Sequence, residues 1–356
     1  MSLNQWSLHL LLRFTLSLIA IAMAAHAVAD EKADRIIETV LLYQRDNGGW
    51  PKNYERDQKL SDDDKKRLAS EKARDDTTFD NGATHREVRL LAKAYDEAKS
   101  DARRKQYKKA CLAGVHFILK AQYPGGGWPQ FYPESKGYSR HVTFNDGAMI
   151  GIMSVLRDVA AGTDEFAFTD AALRARAKTA VDKGIRCILD CQIEVDGKKT
   201  AWCAQHDAES LAPAKARSYE LASISGGESA GVVKFLMEID KPSDEVIEAI
   251  EGAIAWFEAA KLEGIRVGRK EDKSSPEGTD RIVVSDPSAE PMWARFYTIG
   301  TNKPIFCSRD GIPRATLAEI SHERRNGYSW LGYYGANLLA KDYPAWRKKW
   351  GRRGKS

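Results

Sequence analysis

Thr78-Phe79-Asp80-Asn81-Gly82-Ala83 returns later in the chain as Thr143-Phe144-Asn145-Asp146-Gly147-Ala148. Each copy follows a Gly-Gly-Trp-Pro turn, Gly48-Gly49-Trp50-Pro51 before the first and Gly126-Gly127-Trp128-Pro129 before the second. Each opens an apolar run of helical period: Val88, Leu91, Ala92 and Tyr95 after the first, Ala148, Ile152, Val155, Leu156 and Val159 in the second. A loop that twice delivers an acid-amide pair to a helix start predicts a repetitive helical fold. Both acids then open at one end of it, where they can converge on a single ligand.

The repeat continues in weaker form. Ala201-Trp202-Cys203-Ala204-Gln205 is similar to Gly127-Trp128-Pro129-Gln130, and Gly226-Gly227-Glu228-Ser229-Ala230 starts a further apolar run. Two more stripes are Cys111, Leu112, Val115, Ile118, Leu119 and Ala177, Val181, Ile185, Ile188, Leu189. Gly231–Ile239 and Val246–Ala260 complete the set, the last led by Ser243-Asp244-Glu245, an N-cap with an acidic first turn. The unit is a Trp-bearing turn, a loop, an outgoing helix and a returning helix, with a period of about 65 to 80 residues. Hairpins stacked side by side predict an all-α fold, an α/α barrel or toroid whose long loops form the cleft. Arg281-Ile282-Val283-Val284 is the one obvious strand, and Tyr123–Thr143 and Val267–Pro291 read as long irregular segments. No linker divides residues 30–356, which are expected to be a single domain.

Residues 1–29 read as a cleaved signal peptide: Arg13, an apolar Leu16–Ala25 core, then Ala-His-Ala and Ala-Val-Ala cleavage sites ending at Ala27 and Ala29. The expectation is an exported protein, secreted or periplasmic, with no membrane span once the leader is removed. Loss of Arg13 takes the formal charge from +5 to about +4, which suits an acidic ligand without demanding one. The basic tail from Trp346 to Arg353 reads as a solvated, frayed end rather than a nucleic-acid site. Cys187 and Cys191 lie one helical turn apart, a poor geometry for a bridge, whereas Cys111, Cys203 and Cys307 leave room for one disulfide. A monomer is expected.

Asp80 and Asn81, with Asn145 and Asp146, have two readings. An Asp or Asn before Gly at a helix start is an ordinary N-cap. A cap needs only one such group, so the duplicated pairs also fit oxygen ligands for Ca²⁺ or a catalytic carboxylate pair. His85, His141, His206 and His322 are candidate bases, and Cys203 with His206 has zinc-like spacing but no second ligand pair. Trp50, Trp128, Tyr123, Phe131 and Tyr132 either plug the loops or stack on sugars. Arg217, Arg295 and Arg309 stand in loop contexts where guanidinium forks suit carboxylates. No nucleophile elbow, Walker loop or dinucleotide fingerprint is present.

Taken together the motifs resemble the family 10 polysaccharide lyases, which are pectate lyases. The resemblance is carried by Asn47–Asn53, Thr78–His85, Gly126–Pro133, Thr143–Met149, Pro213–Glu220, Trp293–Phe306, Ser308–Gly311 and Arg324–Tyr328. It implies an α/α toroid, Ca²⁺ dependence and β-elimination on polygalacturonate to 4,5-unsaturated products. It implies Asp80 and Asp146 as the acids that place Ca²⁺ and substrate, Asn81 as their helper, Arg217 as the base, and Arg295 and Arg309 as holders of substrate carboxylates. Two other functions stay open: a toroidal glycoside hydrolase with Asp80 and Asp146 as acid and base, and a non-catalytic pectin-binding module. The hydrolase needs one carboxyl pKa raised, whereas helix starts are expected to lower both.

Overall fold

The computed structural model describes residues 31–275 and 277–351, so residues 1–29, expected to be a signal peptide, lie outside the described residues. The described chain opens in helix α1 (31–43) and continues through α2 (Asp62–Ser70), α3 (His85–Glu97), α4 (Asp101–Ala121), α5 (Ala148–Ala161) and α6 (Ala171–Cys191). α7 (Gly226–Met237) and α8 (Asp244–Ala259) complete the repeat, and short helices α9 (His322–Gly327) and α10 (Tyr343–Trp350) follow. Each predicted stripe falls on one of these helices, Gly231–Ile239 overrunning α7 by two residues and Val246–Ala260 overrunning α8 by one. Side chains cap four of them: Ser61, Ser100, Asp170 and Ser243 accept from backbone amides at the starts of α2, α4, α6 and α8.

Helices pair as hairpins α3–α4, α5–α6 and α7–α8, and the hairpins stack with α3, α5, α7 in one layer and α4, α6, α8 in the other. This is the expected helical toroid, and buried residues of both layers form one continuous core.

Two residue types set the spacing of the units. The glutamine after α1, α4 and α6 bridges its own loop to a later helix, α4, α6 and α8 respectively. Gln44 Nε2 donates to Gly48 O (3.0 Å) and Ala110 O (2.9 Å), Gln122 to Gly126 O (2.9 Å) and Ala180 O (2.8 Å), Gln192 to Thr200 O (2.9 Å) and Ala249 O (2.8 Å). The tryptophan of each turn is buried and its indole N–H reaches a helix carbonyl: Trp50 to Val40 (2.7 Å), Trp128 to Ile118 (2.8 Å), Trp202 to Ile188 (2.7 Å). Trp293 makes the same bond to Phe257 (2.9 Å) and marks a fourth unit, in which long loops lead to one helical stretch, 336–350, that passes through a π-helical segment (Leu338–Asp342) into α10 and packs on α7 and α8. The tryptophans are therefore plugs, and none stacks on a sugar. The turns also need glycine: at Gly48 (φ 96°) and Gly126 (φ 92°), a Cβ would fall 2.4 Å from Ala113 O and 2.2 Å from Lys183 O.

The segment Val267–Pro291 is not irregular. It holds a hairpin, β1 (Ile265–Glu271) against β2 (Thr279–Ser285), in register Val267 to Val283. Arg266, Arg269, Lys270 and Glu271 disguise β1, because both of its faces are half exposed and no apolar alternation develops. The basic tail is helical to Trp350, with Trp346 buried and Arg347, Lys348 and Lys349 in the last turn, where cations favour the helix dipole. All five cysteines are buried and free, so Cys111, Cys203 and Cys307 do not form the one disulfide they left room for; Cys187 and Cys191 sulfurs lie 4.0 Å apart. Among the described residues no helix is long and apolar enough to cross a membrane.

Candidate active site

The two repeated loops each end in one 3-10 turn, Asp80–Gly82 and Asn145–Gly147, and the two turns touch. In both, the second residue is left-handed, Asn81 at φ 52° and Asp146 at φ 51°, and a left-handed glycine follows. Asn and Asp tolerate this backbone better than other side chains. The structural register pairs Asp80 with Asn145, both buried, and Asn81 with Asp146, both exposed. The acid and amide have thus exchanged places between copies. No side-chain cap forms at either turn or at the start of α3 or α5, so the N-cap reading of these acids fails.

Each buried member meets a cation. Asp80 is held by the ammonium of Lys52, which also stands 5.3 Å from the ring centre of Phe131. Its Oδ1 is buried without a hydrogen-bond partner. Asn145 Oδ1 accepts from Arg295 Nη2 (3.1 Å), and its amide donates to Asp146 Oδ2 (2.6 Å). Arg295 Nη2 also reaches Glu228 (2.7 Å) and lies 3.5 Å from Asp146 Oδ1. Burial raises the Asp146 carboxyl; Arg295 opposes this, and Glu228 and Asp80 push it further up. The expectation that a helix start would hold Asp146 low is therefore wrong: it shares a partly dry site with two other carboxylates and caps nothing. Burial pulls the Arg295 guanidinium down, but Glu228, Tyr328, Tyr334 and Asp146 more than offset it and its direction is up.

The other two arginines join through aromatic rings. Arg295 lies 4.7 Å from the centre of the Tyr328 ring, and Arg217 lies 5.7 Å from it. Tyr328 donates its hydroxyl to Glu220 (2.7 Å), whose carboxylate receives Arg217 Nε (2.7 Å) and Nη2 (2.5 Å). That fork raises the Arg217 pKa against a smaller opposing contribution from burial. Burial would raise Glu220, but the bonds from Arg217 and Tyr328 bring it below its ordinary value. Arg309 sits over Tyr219 at 5.7 Å, the ring that Arg217 also covers at 5.0 Å.

The structure thus gathers Asp80, Asp146 and Arg295, and links Arg217 and Arg309 to them along Tyr328 and Tyr219. Asn81 stands apart, its amide donating to Asn53 Oδ1 (3.0 Å) on the exposed side. Four residues of this network were not read from sequence. Glu228 had a signal, since it replaces the acid-amide pair at the third repeated helix start, and Lys52 adjoins a Trp-Pro turn. Glu220 and Tyr328 close two of the segments that carry the resemblance, but no role was read for either, because a lone Glu and Tyr in loops look ordinary.

The histidine candidates fall away from the chemistry. Burial holds His85 and His206 down at about 4. His206 Nε2 accepts the Cys203 amide (3.0 Å) and Nδ1 pairs with Leu211 O (2.8 Å), so the ring braces its loop and is not free for zinc. His141 faces Asp207 at 3.8 Å, and His322 lies 3.9 Å from Glu277 and from Asp280.

A hard cation fits the acid pair in a limited way. The orphaned Oδ1 of Asp80 is a ready oxygen ligand and Asp146 is accessible beside it. Among the described residues no group of three or more His, Cys, Asp or Glu forms a metal cage. Ca²⁺ takes 6–8 oxygens, so most would come from water and from the bound substrate.

Residues 44–339 match the family model described as pectic acid lyase. A family 10 polysaccharide lyase from Cellvibrio cellulosa is 36% identical, with TM-score 0.74 over 89% of this chain and 91% of that one. An aspartate-to-alanine mutant of a family 10 polysaccharide lyase from the same organism, in complex with trigalacturonic acid, is 36% identical, with TM-score 0.76 over 89% and 92%. A search of curated proteins gives no match.

Proposed function

The chain belongs to the pectic acid lyase family, among the family 10 polysaccharide lyases, and is a lyase; from that premise we propose Ca²⁺-dependent β-elimination on polygalacturonate. The observation that carries this reading is the row of cations over the acid pair: Arg295 against Asp146, then Arg217 and Arg309 along Tyr328 and Tyr219. Successive arginine forks suit the regularly spaced carboxylates of a uronic acid polymer. The trigalacturonic acid bound by the Cellvibrio relative supports the same substrate class.

The proton to be removed lies on C5, alpha to the sugar carboxylate, and negative charge grows on that carboxylate as it leaves. Asp80 and Asp146 would hold Ca²⁺, which when bound supplies positive charge at that carboxylate. Arg295, fixed by Glu228 and Asn145, adds a second positive group and orients the ring. Arg217 takes the proton. Its Nε and Nη2 are committed to Glu220, which leaves Nη1 for the substrate. Since Glu220 favours the charged form, Arg217 must first lose a proton, and the rate climbs with alkaline pH. Departure of O4 then leaves the 4,5-unsaturated end. An extracellular polymer as substrate agrees with the export signal read from residues 1–29.

One observation favours the hydrolase alternative: the raised Asp146 carboxyl suits a general acid. A single assay separates the two. Purified protein with polygalacturonate is followed by ultraviolet absorbance and by reducing ends, with Ca²⁺ and then with a chelator. A Ca²⁺-dependent absorbance rise is expected. New reducing ends without absorbance would establish hydrolysis, and neither signal would leave a binding module.

A further inference from the structure

On the proposed reading of an anionic polysaccharide substrate, we infer that Glu323 is an internal competitor for the carboxylate site on Arg309. In the free protein Arg309 Nε (3.3 Å) and Nη2 (2.9 Å) donate to the two oxygens of Glu323. A substrate uronate would use the same two-point edge, because its carboxylate has the same fork geometry.

The pair is built to exchange on one side only. Glu323 is also bonded by Arg324, through Nε at 2.6 Å and through Nη2. The Arg324 side chain is 9% exposed and that of Arg309 is 64% exposed. When Arg309 swings to a substrate carboxylate, Glu323 keeps its partner in Arg324, and no buried charge is stranded. Were Arg324 the one to move, a buried guanidinium would lose its carboxylate. The backbone does not need to follow, since Ser321 N donates to Ser308 Oγ (2.8 Å) and pins the Arg309 turn to the start of α9.

The local charge count points the same way. Arg217, Arg309 and Arg324 lie 5.0, 5.7 and 4.6 Å from the centre of the Tyr219 ring. Two carboxylates, Glu220 and Glu323, serve these three cations, and Arg309 is the most exposed of the three. The bonds from Arg324 and Arg309 hold Glu323 down at about 2, so it remains ionised, and competes, at every pH at which the enzyme would be assayed.

The test is KM for polygalacturonate at low ionic strength. Exposed ion pairs are weak, so Glu323→Gln should lower KM by about two- to fivefold. In an Arg309→Gln background the same change should leave KM unmoved. Glu319→Gln, which removes an exposed carboxylate bonded to Thr316 rather than to arginine, controls for overall charge. A rise or no change in KM, or an equal fall with Glu319→Gln, overturns the inference. Should Glu323→Gln lower the melting temperature enough to prevent assay, Glu323→Asp keeps a carboxylate for Arg324 and should still lower KM; a rise would again overturn it. Absence of unsaturated product with the wild type would instead reject the lyase reading itself.

Discussion

Glu220 holds Arg217 by three donors, the backbone amide (3.2 Å), Nε (2.7 Å) and Nη2 (2.5 Å), and its carboxylate is almost wholly buried. Such a grip has two opposite effects on a base. It orients the guanidinium, and it makes the proton harder to lose. Glu220→Gln tells which effect controls the rate. The neutral amide lets Arg217 lose its proton more easily but abandons the two-point fork. Orientation should win, with kcat lower by about tenfold or more across the alkaline range, because small misplacements of reacting groups are costly. A rate increase at any pH would show that proton loss was limiting.

Arg217→Ala should abolish turnover altogether, with the far-ultraviolet circular dichroism unchanged. Arg217 is half exposed and the core does not rest on it. A substantial residual rate of unsaturated product would remove Arg217 from the role of base.

The exchange of acid and amide between the two turns yields a sharper test. Asp146 occupies the exposed position and Asn145 the buried one beside Arg295. Asp146→Asn should therefore inactivate the protein, and adding Asn145→Asp should not restore it. The restored carboxylate would be spent on Arg295, whose Nη2 already donates to that position (3.1 Å). Recovery of activity in the double variant would mean that the charge matters and its position does not.

Much of this was legible in the chain because the repeat writes the same turn more than once. The hairpins and a shared end for Asp80 and Asp146 follow from spacing alone, whereas the tryptophans had two readings until their burial decided for plugs. The exchanged order of Asp80-Asn81 and Asn145-Asp146 is plain in the aligned repeats, but its consequence is not, since only the fold shows that the first position is buried and the second, left-handed at Asn81 and Asp146, is exposed. The partners of Arg217 and Arg295 were also hidden. Glu228 lies 67 residues from Arg295, so that pairing appears only in the fold, whereas Glu220 lies three residues from Arg217 in a loop where no helical spacing marks the pair.

Acid sensitivity follows from two desolvated histidines, the buried His206 and the partly buried His85. Burial holds His85 and His206 at about 4, against an ordinary value of 6.5. Between those values the unfolded chain binds more protons, so stability is full above pH about 6.5 and falls as the pH drops toward about 4. Each contributes on the order of 3 kcal/mol across that window. The melting temperature should fall steadily from pH 7 to pH 4, and His206→Gln should make the decline shallower. A melting temperature flat over this range would mean that the rings are solvated in the folded protein.

Trp128→Ala should cost about 3–5 kcal/mol, because it empties a fully buried site and leaves a helix carbonyl unsatisfied. The ring packs against Gly184, where a Cβ would come 3.2 Å from its edge. Trp128→Phe should lose less, keeping much of the ring but not the bond to Ile118 O. The loss should appear as a lower denaturant midpoint with an unchanged slope, since the amount of surface exposed on unfolding is nearly the same. Trp50, Trp202 and Trp293 make the equivalent bond, and replacing any of them should give a similar loss. If Trp293→Ala proved much milder, the fourth unit would be packed on the toroid and not built into it.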